Sequence, residues 1–408
     1  MDTDMQLQCS NQHCGEFLAR DFAAFDCPKC GDLLELSCNG FHPDPFRLRS
    51  LWRDRRSSND PADRSGVWRF REFLPDYSTE QRITLGEGNT PLIAGQKTAA
   101  FARLNNLQFK HLGWNPTGSF KDLGMTVAVT EARARGAKVV ACASTGNTAA
   151  SMAAYAARAG IAARVYLPKG RLSAAKVAQS LDYGAEIVEV EGNFDDALAM
   201  MTEKKASSEY FLNSINPFRV EGQKTAMFEL MEQLDWNPPD FVVVPGGNLG
   251  NSSAFGKALK ELSAAGLIEK VPRLVIVQAR GANALVKTLA AGSGELERVI
   301  DPKTCASAIS IGAPRSWRKA LTALNFTKGS VLDVSDEEIL EAKSVIGCDG
   351  IGCEPASATT LAGIRRLRRT GEIGERDRVV AILTGHVLKD PDIILKTHRE
   401  AVAAEVQA

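Results

Sequence analysis

The stretch NPTGSFKDLGMTVAV, residues 115 to 129, places a lysine directly after a Pro-Thr-Gly turn. This residue, Lys121, also opens a helical pattern that continues to Arg135. An ammonium group that is partly desolvated near a helix N-terminus loses proton affinity, and the neutral amine is the form that attacks an aldehyde. The alternative is a surface lysine paired with Asp122, and taken alone the stretch favours that alternative.

On both sides of this stretch, apolar β-rich runs alternate with helical patterns from about residue 83 onward. This alternation is typical of a parallel sheet covered by helices. Strands are predicted at KVVACAS (138–144), ARVYLP (163–168), AEIVEV (185–190), FVVVP (241–245), RLVIVQA (273–279) and VVAILT (379–384). Helices between them end at Gly160 and Gly184, and another follows Asn251. Two α/β lobes with a cleft between them are predicted, the smaller within about residues 113 to 212.

The bulk composition limits the classes of function. The chain has 408 residues, 44% of them hydrophobic, which is enough for two core-forming units and an appendage. Its 49 basic and 49 acidic residues balance, so we expect a small-molecule substrate rather than a nucleic acid or a membrane. No apolar run reaches the roughly 20 residues of a membrane helix, and no signal-peptide core opens the chain. A cytoplasmic location is expected.

The N-terminus carries two cysteine pairs, CSNQHCG and CPKCG, each of which ends in glycine. This spacing is typical of a zinc ribbon, in which two short loops place four thiolates around a structural Zn²⁺. The predicted ligands are Cys9, Cys14, Cys27 and Cys30. His13 and Cys38 are spare candidates, and free thiols or a lapsed site are the alternative. A disulfide framework is not expected.

We divide the chain into a zinc-ribbon-like segment at residues 1–40, a connector at 41–82 and a catalytic core of two lobes at 83–408. The connector mixes prolines with many arginines and predicts only short helical pieces. Its basic run, Arg53 to Arg56, is interpreted as a solvated face.

Two polar segments follow predicted strands, where open α/β sheets bind ligands. The first, ASTGNTAAS (143–151), has hydroxyl and amide groups that could contact an anion or a phenolic oxygen. These groups belong to Ser144, Thr145, Asn147 and Thr148. A cluster of helix caps is the alternative, although one cap needs only one such residue. The second, PGGNLGNSS (245–253), is a Gly-rich turn before a helix and suits a small phosphate. An ordinary strand-to-helix turn is its alternative.

A further segment, LTGHVLKDP (383–391), puts Thr384 at the carboxyl end of a strand. Its hydroxyl can hydrogen-bond a heteroaromatic nitrogen without imposing a charge. A neutral hydroxyl is not expected to hold a pyridine nitrogen protonated as a carboxylate would. His386 is interpreted either as catalytic or as a packing residue.

Seven ordered blocks across residues 83 to 391 resemble the threonine synthase family. They are NPTGSFKDLGM, ACASTGNTAAS, NSINPFRVEGQKTA, VVVPGGNLGN, SIGAPRSWRKAL, CEPASATTLAG and LTGHVLKDP. The resemblance implies the fold of the tryptophan synthase β-subunit, fold type II of enzymes that use pyridoxal 5′-phosphate (PLP). Some members also have zinc-ribbon-like N-termini, and a homodimer is implied.

The resemblance also implies roles for individual residues. Lys121 would form the internal aldimine with PLP, Asn147 would contact the PLP 3′-oxygen, and Thr384 would face the pyridine nitrogen. The phosphate of PLP would be cradled by Gly246, Gly247, Asn248, Leu249 and Gly250. Contacts with the substrate would fall on Ser144, Thr145, Thr148, Asn213 and Arg219, where the guanidinium suits a phosphate dianion. Lys224 is a possible helper.

The implied reaction converts O-phospho-L-homoserine and water into L-threonine and phosphate. Two departures from the family pattern stand near the cofactor motifs: Leu123 replaces an Arg that is frequent in FKDRG, and Val387 replaces a Gly of TGHGLKD. The alternative is therefore a related PLP enzyme that performs β-replacement on O-phosphoserine, as cysteate synthase does, or dehydrates threonine or serine. A catalytically inactive binding module is the third possibility, and the intact Lys121, Asn147 and Thr384 argue against it.

Overall fold

The computed structural model describes residues 5–38, 43–144, 146–169, 174–191 and 209–394. Its strands are β1 (Met5–Cys9), β2 (Phe17–Leu18), β3 (Leu34–Cys38), β4 (Leu92–Ala94), β5 (Asn106–His111), β6 (Val139–Ala143), β7 (Ala162–Pro168), β8 (Glu186–Val190), β9 (Glu209–Phe211), β10 (Phe241–Pro245), β11 (Arg273–Ala279), β12 (Ser330–Val334) and β13 (Arg378–Leu383). The α-helices are α1 (Pro45–Arg56), α2 (Pro61–Arg64), α3 (Gln96–Ala102), α4 (Lys121–Ala134), α5 (Asn147–Ala159), α6 (Ala174–Asp182), α7 (Pro217–Gln233), α8 (Gly250–Ala264), α9 (Ala284–Ala291), α10 (Trp317–Thr327), α11 (Asp336–Cys348) and α12 (Pro355–Thr370).

Three sheets organise these elements. The largest has the strand order β12-β11-β10-β13-β5-β4, and its strands are parallel except for the edge strand β4. A second, fully parallel sheet has the order β8-β7-β6-β9. The third is the small antiparallel sheet β2-β1-β3 near the N-terminus. The predicted alternation of strands and helices is confirmed, while the domain boundaries given above stay predictions.

Strand β10 shows why the large sheet is covered on both faces. All five of its residues, FVVVP, are buried, and their continuous apolar run is what a parallel strand between two helix layers requires. Val242 and Val244 belong to the apolar cluster on one side of the sheet, and Val243 belongs to the cluster on the other side. The sheet therefore fixes the carboxyl ends of its strands on a rigid support.

Helices α4 and α7 cross at two glycines. A Cβ atom added at Gly222 of α7 would stand 1.8 Å from the carbonyl oxygen of Leu123, and one added at Gly124 of α4 would stand 2.8 Å from the carbonyl oxygen of Arg219. Only glycine permits the two backbones to approach this closely. The crossing brings the first turn of α4, which contains Lys121, beside the first turn of α7, which contains Arg219.

The connector is better ordered than its sequence indicates. Helix α1 extends over twelve residues, and its Trp52 is fully buried against the rings of Phe70 and Phe228. The prediction that Arg53 to Arg56 form a solvated face was wrong for Arg55, which is 8% exposed. Its guanidinium donates to the Glu72 carboxylate at 2.5 and 2.9 Å. Because Glu72 lies in a later segment of the chain, the pattern of charges around Arg55 does not reveal this ion pair.

Within the residues that the structure describes, no helix combines the length and the apolar character needed to cross a membrane.

Gly222→Ala should destabilise the protein by about 1–3 kcal/mol, because the new methyl group has no space beside the Leu123 carbonyl. Gly347→Ala is the matched control: this glycine lies in α11 with nothing within 4 Å of the added Cβ, so the substitution should stabilise by about 0.4–1 kcal/mol. Urea unfolding of both variants measures the difference. Equal stability of the two variants would contradict the close helix crossing.

Candidate active site

The loop before Lys121 is held against the end of β13 by backbone hydrogen bonds. Phe120 N–H donates to the Thr384 carbonyl at 2.9 Å, and His386 N–H donates to the Gly118 carbonyl at 2.9 Å. Ser119 and Gly385 form an antiparallel bridge between these two bonds. Two segments that are far apart in sequence are thereby fixed as neighbours, so Lys121 begins its helix beside the carboxyl end of β13.

Lys121 is half-buried and does not pair with Asp122, unlike the surface lysine of the alternative interpretation. Its Nζ lies 4.1 Å from the centroid of the Phe120 ring. Burial, together with the nearby Arg219 guanidinium, lowers the pKa of Lys121 from 10.5 to about 7, against the opposing effect of Glu354. A substantial fraction of this amine is therefore neutral at neutral pH, which is the state a nucleophilic amine requires.

Asp122 does not pair with Lys121 but braces the loop that carries it. Its carboxylate accepts the Thr117 N–H at 2.7 Å, the Thr117 hydroxyl at 2.5 Å and the Ser151 hydroxyl at 2.5 Å. Ser151 lies in α5, so the bonds connect the lysine loop with the helix that follows β6. Burial raises the pKa of Asp122 to about 6, while these hydrogen bonds oppose the rise.

Asn147 and Thr384, which were predicted from separate motifs, meet at one carboxylate. Glu354 Oε1 accepts the Thr384 hydroxyl at 2.9 Å, and Glu354 Oε2 accepts Asn147 Nδ2 at 3.0 Å. Glu354 is 4% exposed, and its own N–H donates to the Gly385 carbonyl at 3.1 Å. The sequence patterns predict no role for Glu354. The signal was a glutamate just before an apolar helix, in the block CEPASATTLAG, and an acidic helix N-terminus alone does not reveal a site.

The Gly-rich turn after β10 leads into α8 through a left-handed residue, Leu249, whose φ is 64°. A Cβ atom at Gly246 would meet the Ile276 side chain at 2.6 Å, and one at Gly247 would meet Ile309 at 3.0 Å. These two glycines are therefore required by packing on the protein side of the turn. Gly250 begins α8, where the first backbone N–H groups have no partner within the helix and suit a phosphate.

Some polar side chains around this turn have hydrogen-bond partners, and others have none among the described residues. Asn248 Oδ1 accepts the Arg315 N–H at 2.8 Å, and its Nδ2 contacts the Ser214 hydroxyl. In contrast, both amide atoms of Asn251 and the hydroxyl of Ser252 are buried with no partner among the described residues. Buried polar groups are normally hydrogen-bonded, so their state indicates that a polar ligand completes this turn.

Arg219 is a second cation of the site, and it is buried. Its Nη1 donates to the Leu212 carbonyl at 3.0 Å, whereas Nε and Nη2 are buried without a partner among the described residues. Burial lowers the pKa of Arg219 to about 10, and Cys142 opposes this shift. An uncompensated buried guanidinium is costly unless an anion joins it, so this arginine is prepared for an anionic ligand.

The other residues that are predicted to contact the substrate differ in their hydrogen bonds and burial. Asn213 is held by two hydrogen bonds of 3.2 Å with the backbone of Ala143, at the end of β6. The hydroxyl of Ser144 accepts the Gly146 N–H at 3.3 Å, and Thr148 is half-buried in the first turn of α5. Thr145 lies outside the described residues.

Lys224 is paired with two carboxylates. Its ammonium donates to Glu221 at 2.5 Å and lies 2.8 Å from a Glu261 carboxylate oxygen, so it is not free to help bind a substrate phosphate.

The structure also places the two residues that depart from the family pattern. Leu123 is 2% exposed within the apolar core, and Val387 lies against Gly352, where an added Cβ would approach it at 3.3 Å.

A cysteine cluster stands apart from this site. The sulfurs of Cys9, Cys14, Cys27 and Cys30 all lie within 4.8 Å of one another, with 3.4 Å between Cys9 and Cys30 and 3.8 Å between Cys14 and Cys27. Four thiolates bound to one Zn²⁺ would stand about 3.8 Å apart. His13 is not part of the cluster, and the side chain of Cys38 lies outside the described residues.

Comparison with known proteins identifies the class. The pattern of the family described as pyridoxal-phosphate dependent enzyme matches residues 83–385. Among solved structures, threonine synthase from Escherichia coli superposes with a TM-score of 0.69 at 19% identity, covering 93% of this chain and 88% of that one. The processed form of threonine deaminase isoform 2 from Solanum lycopersicum gives 0.64 at 18% identity, covering 85% and 86%. The chain belongs to the pyridoxal-phosphate dependent enzymes, and its predicted fold class is confirmed.

Relatives of similar sequence identify the family within this class. The threonine synthase of Methanocaldococcus jannaschii is 42% identical over 395 residues, which cover 96% of this chain and 95% of the relative. That of Mycobacterium leprae is 44% identical over 330 residues, covering 80% and 89%. Within its class, the chain is therefore a member of the threonine synthase family, as its motifs predicted.

The residues present fit PLP. A half-buried amine of lowered pKa lies beside the end of β13, and a Gly-rich turn leads into a helix N-terminus. Near that turn, buried polar atoms of Asn251 and Ser252 have no partner in the part of the chain that the structure describes. The amine suits the aldehyde of PLP, the helix N-terminus suits its phosphate, and the hydroxyl of Thr384 suits the nitrogen of its ring.

Arg219→Gln should raise the pKa of Lys121, because it removes a positive charge that disfavours the ammonium form. In cofactor-free protein, the pH dependence of PLP attachment, followed by absorbance, should have its midpoint near the pKa of about 7. The midpoint should move to higher pH in Arg219→Gln and stay in place in Arg376→Gln, which changes an exposed arginine. An unmoved midpoint in Arg219→Gln would show that this arginine does not tune the amine.

Proposed function

We propose that the chain is a threonine synthase that converts O-phospho-L-homoserine and water into L-threonine and phosphate. The observation that carries the proposal is a half-buried amine of lowered pKa, Lys121, close to the buried guanidinium of Arg219, two of whose nitrogens have no partner among the described residues, in a member of the threonine synthase family. The first group suits covalent attachment of an aldehyde, and the second suits an anion on the substrate.

In this proposal Lys121 attaches the cofactor, Asn147 contacts its 3′-oxygen and Thr384 faces its ring nitrogen. The turn from Gly246 to Gly250, which comprises Gly246, Gly247, Asn248, Leu249 and Gly250, receives its phosphate at the N-terminus of α8. When bound, PLP supplies an electron sink for the bonds that break at the substrate carbons.

Lys121 also moves protons in the proposed reaction. Its lowered pKa of about 7 lets one amine accept a proton at the substrate α-carbon and return protons later at neighbouring carbons. The pKa lies near neutral pH, where neither the amine nor the ammonium is strongly disfavoured. Asp122 and the backbone bonds to β13 keep the lysine loop in place while the proton moves.

Arg219 is proposed to hold the phosphate of the substrate, together with Ser144, Thr145, Thr148 and Asn213. Its free Nε and Nη2 can both donate to one phosphate, and the burial that leaves them without partners also strengthens that interaction. A threonine or serine dehydratase acts on a substrate that has no phosphate. A phosphorylated substrate carries a second anion besides the carboxylate that all these amino acids share, and Arg219, on a different helix from the one that follows the Gly-rich turn, is proposed to bind that second anion.

The direct test is to supply PLP-saturated protein with O-phospho-L-homoserine and to measure phosphate and amino-acid product, with O-phospho-L-serine plus sulfite in parallel. We expect L-threonine and phosphate in equal amounts from phosphohomoserine. Turnover of phosphoserine alone would retain the Lys121 chemistry and identify a β-replacement enzyme instead.

Arg219→Lys keeps a positive charge but removes the planar two-donor geometry. We expect kcat/KM for phosphohomoserine to fall by about 10- to 100-fold, since a hydrogen bond to a charged group is worth about 1.5–3 kcal/mol. Arg376→Lys is the control at an exposed position and should leave kcat/KM unchanged. Full activity of Arg219→Lys would contradict a bidentate contact with the phosphate.

The cysteine cluster is proposed to hold one structural Zn²⁺. Gly15 and Gly31, which follow the two cysteine pairs, have φ angles of 64° and 77°, a conformation that short metal-binding loops require and glycine adopts at no cost. Four thiolates close the coordination sphere, so the metal takes no part in the reaction. The location is proposed to be the cytoplasm, and the assembly a homodimer.

Metal analysis of the purified protein should find about one zinc per chain, as four thiolates bind a single tetrahedral ion. Cys27→Ser should lose the metal and lower the melting temperature, because metal binding supplies folding free energy to this small segment. Cys348→Ser, at an exposed cysteine outside the cluster, should keep both. Zinc-free protein with an unchanged melting temperature in Cys27→Ser would rule out the site.

A further inference from the structure

A ring of contacts joins an N-terminal loop to the end of β6 and to the Gly-rich turn. This cysteine loop, residues 25–32, carries Cys27 and one other of the four clustered cysteines. Its backbone is fixed where the chain enters β3, because the Leu34 N–H donates to the Phe25 carbonyl at 2.8 Å. Within the loop, the Cys27 N–H donates to the Asp32 carbonyl at 2.7 Å. The first side chains of the loop therefore extend from fixed backbone positions.

Phe25 extends from this loop into the core of the four-stranded sheet. It is 4% exposed and belongs to one apolar cluster with residues of β6, β7, β8 and β9, among them Ala143. Its ring lies 5.8 Å from the ring of Tyr210 in β9, centroid to centroid, in an edge-to-face arrangement. Ala143 is the last residue of β6, and its backbone N–H and carbonyl are both bonded to the Asn213 amide at 3.2 Å. Phe25 and Asn213 therefore hold the same strand end, from which the chain continues to Ser144.

The next residue of the loop, Asp26, is connected with the Gly-rich turn through Arg315. Its carboxylate lies 2.9 Å from a guanidinium nitrogen of Arg315, whose backbone N–H donates to Asn248 Oδ1 at 2.8 Å. A backbone N–H can only donate, so this bond fixes the orientation of the Asn248 amide. Its Nδ2 then contacts the hydroxyl of Ser214, the residue after Asn213. The contacts therefore return to the end of β6 and close a ring.

The members of this ring of contacts are, in order, Phe25, Ala143, Asn213, Ser214, Asn248, Arg315 and Asp26. We propose that the cysteine loop positions the active site through this ring, so that a metal ion held by the cysteines and a phosphate held at the Gly-rich turn strengthen each other's binding. The inference rests on the proposed cofactor and metal sites. It goes beyond both, because it makes the two binding free energies depend on each other.

The physical basis of the coupling is shared order. A metal ion on the cysteines would fix the start of the cysteine loop, and a phosphate would fix the Gly-rich turn. Because the ring joins these two parts, ordering one of them lowers the entropy cost of ordering the other. Such coupling is reciprocal: the factor by which PLP tightens metal binding equals the factor by which the metal tightens PLP binding.

Lys121 lies outside the ring of contacts. Its position depends on the backbone bonds between the lysine loop and β13, none of which involves a member of the ring. We therefore expect a break in the ring to weaken the binding of PLP and to raise KM for the substrate, while the pKa of the Lys121 amine stays unchanged. General loss of packing around the site would alter both.

The test measures the zinc affinity of the full chain by competition with a chelator, with PLP attached and without it, after unbound PLP has been removed. We expect zinc to bind at least about 5-fold more tightly to the PLP-loaded protein, the lower end of typical coupling between two sites. PLP should bind more tightly to zinc-loaded than to zinc-free protein by the same factor.

Phe25→Ala breaks the ring and leaves the four clustered cysteines in place. The remaining link of the loop to the site, between Asp26 and Arg315, is a solvent-exposed ion pair, and such pairs are weak. The difference in zinc affinity should therefore be lost in this variant, while the pH midpoint of PLP attachment stays at its wild-type value. Asp32→Asn is the matched control, because this carboxylate of the same loop pairs with Arg318 at 3.2 Å and not with Arg315. It should keep the wild-type factor.

Equal zinc affinities of the wild-type protein with and without PLP overturn the inference, and so does a difference that persists in Phe25→Ala or disappears in Asp32→Asn. If Phe25→Ala does not fold, Phe25→Leu takes its place, because it keeps an apolar side chain, loses the aromatic contact with Tyr210 and should also reduce the factor. Protein that binds no zinc contradicts the metal site, protein that forms no adduct with PLP contradicts the cofactor site, and either result also overturns the inference. Zinc and PLP that both bind, each without effect on the other, contradict this inference alone.

Discussion

The backbone clasp between the lysine loop and the end of β13 is the constraint on which the site depends. Phe120 donates to Thr384, His386 donates to Gly118, and the bridge between Ser119 and Gly385 lies between these bonds. Because β13 is a central strand paired on both sides, its carboxyl end has little freedom to move. The clasp transfers this rigidity to the start of α4, so the amine is positioned by the large sheet.

The close helix crossing completes the pair of cations. Gly124 and Gly222 let α4 and α7 approach until Arg219 affects the pKa of Lys121. The positive charge of Arg219 disfavours the ammonium form of Lys121, and an anion bound between the two groups would compensate both charges.

A buried ion network connects the N-terminal segment with the same helix. Glu221, two residues after Arg219 in α7, contacts the ammonium of Lys257 in α8, and that ammonium also contacts the Leu36 carbonyl in β3. At the surface, Arg315 joins Asp26 at 2.9 Å, while its own N–H donates to Asn248 in the Gly-rich turn. The cysteine-bearing segment therefore packs on elements that also build the candidate site.

The sequence by itself determined the family, the alternation of strands and helices, and the residue types at Lys121, Asn147 and Thr384, because these depend on local patterns and ordered motifs. Only the tertiary structure decided which groups share a partner. Glu354 joins Asn147 and Thr384 across the fold, Arg55 is buried by Glu72, and Lys224 is occupied by Glu221 and Glu261. Hydrogen-bond partners and desolvation arise from chain segments that are remote in sequence, and a pattern read along one segment does not contain them.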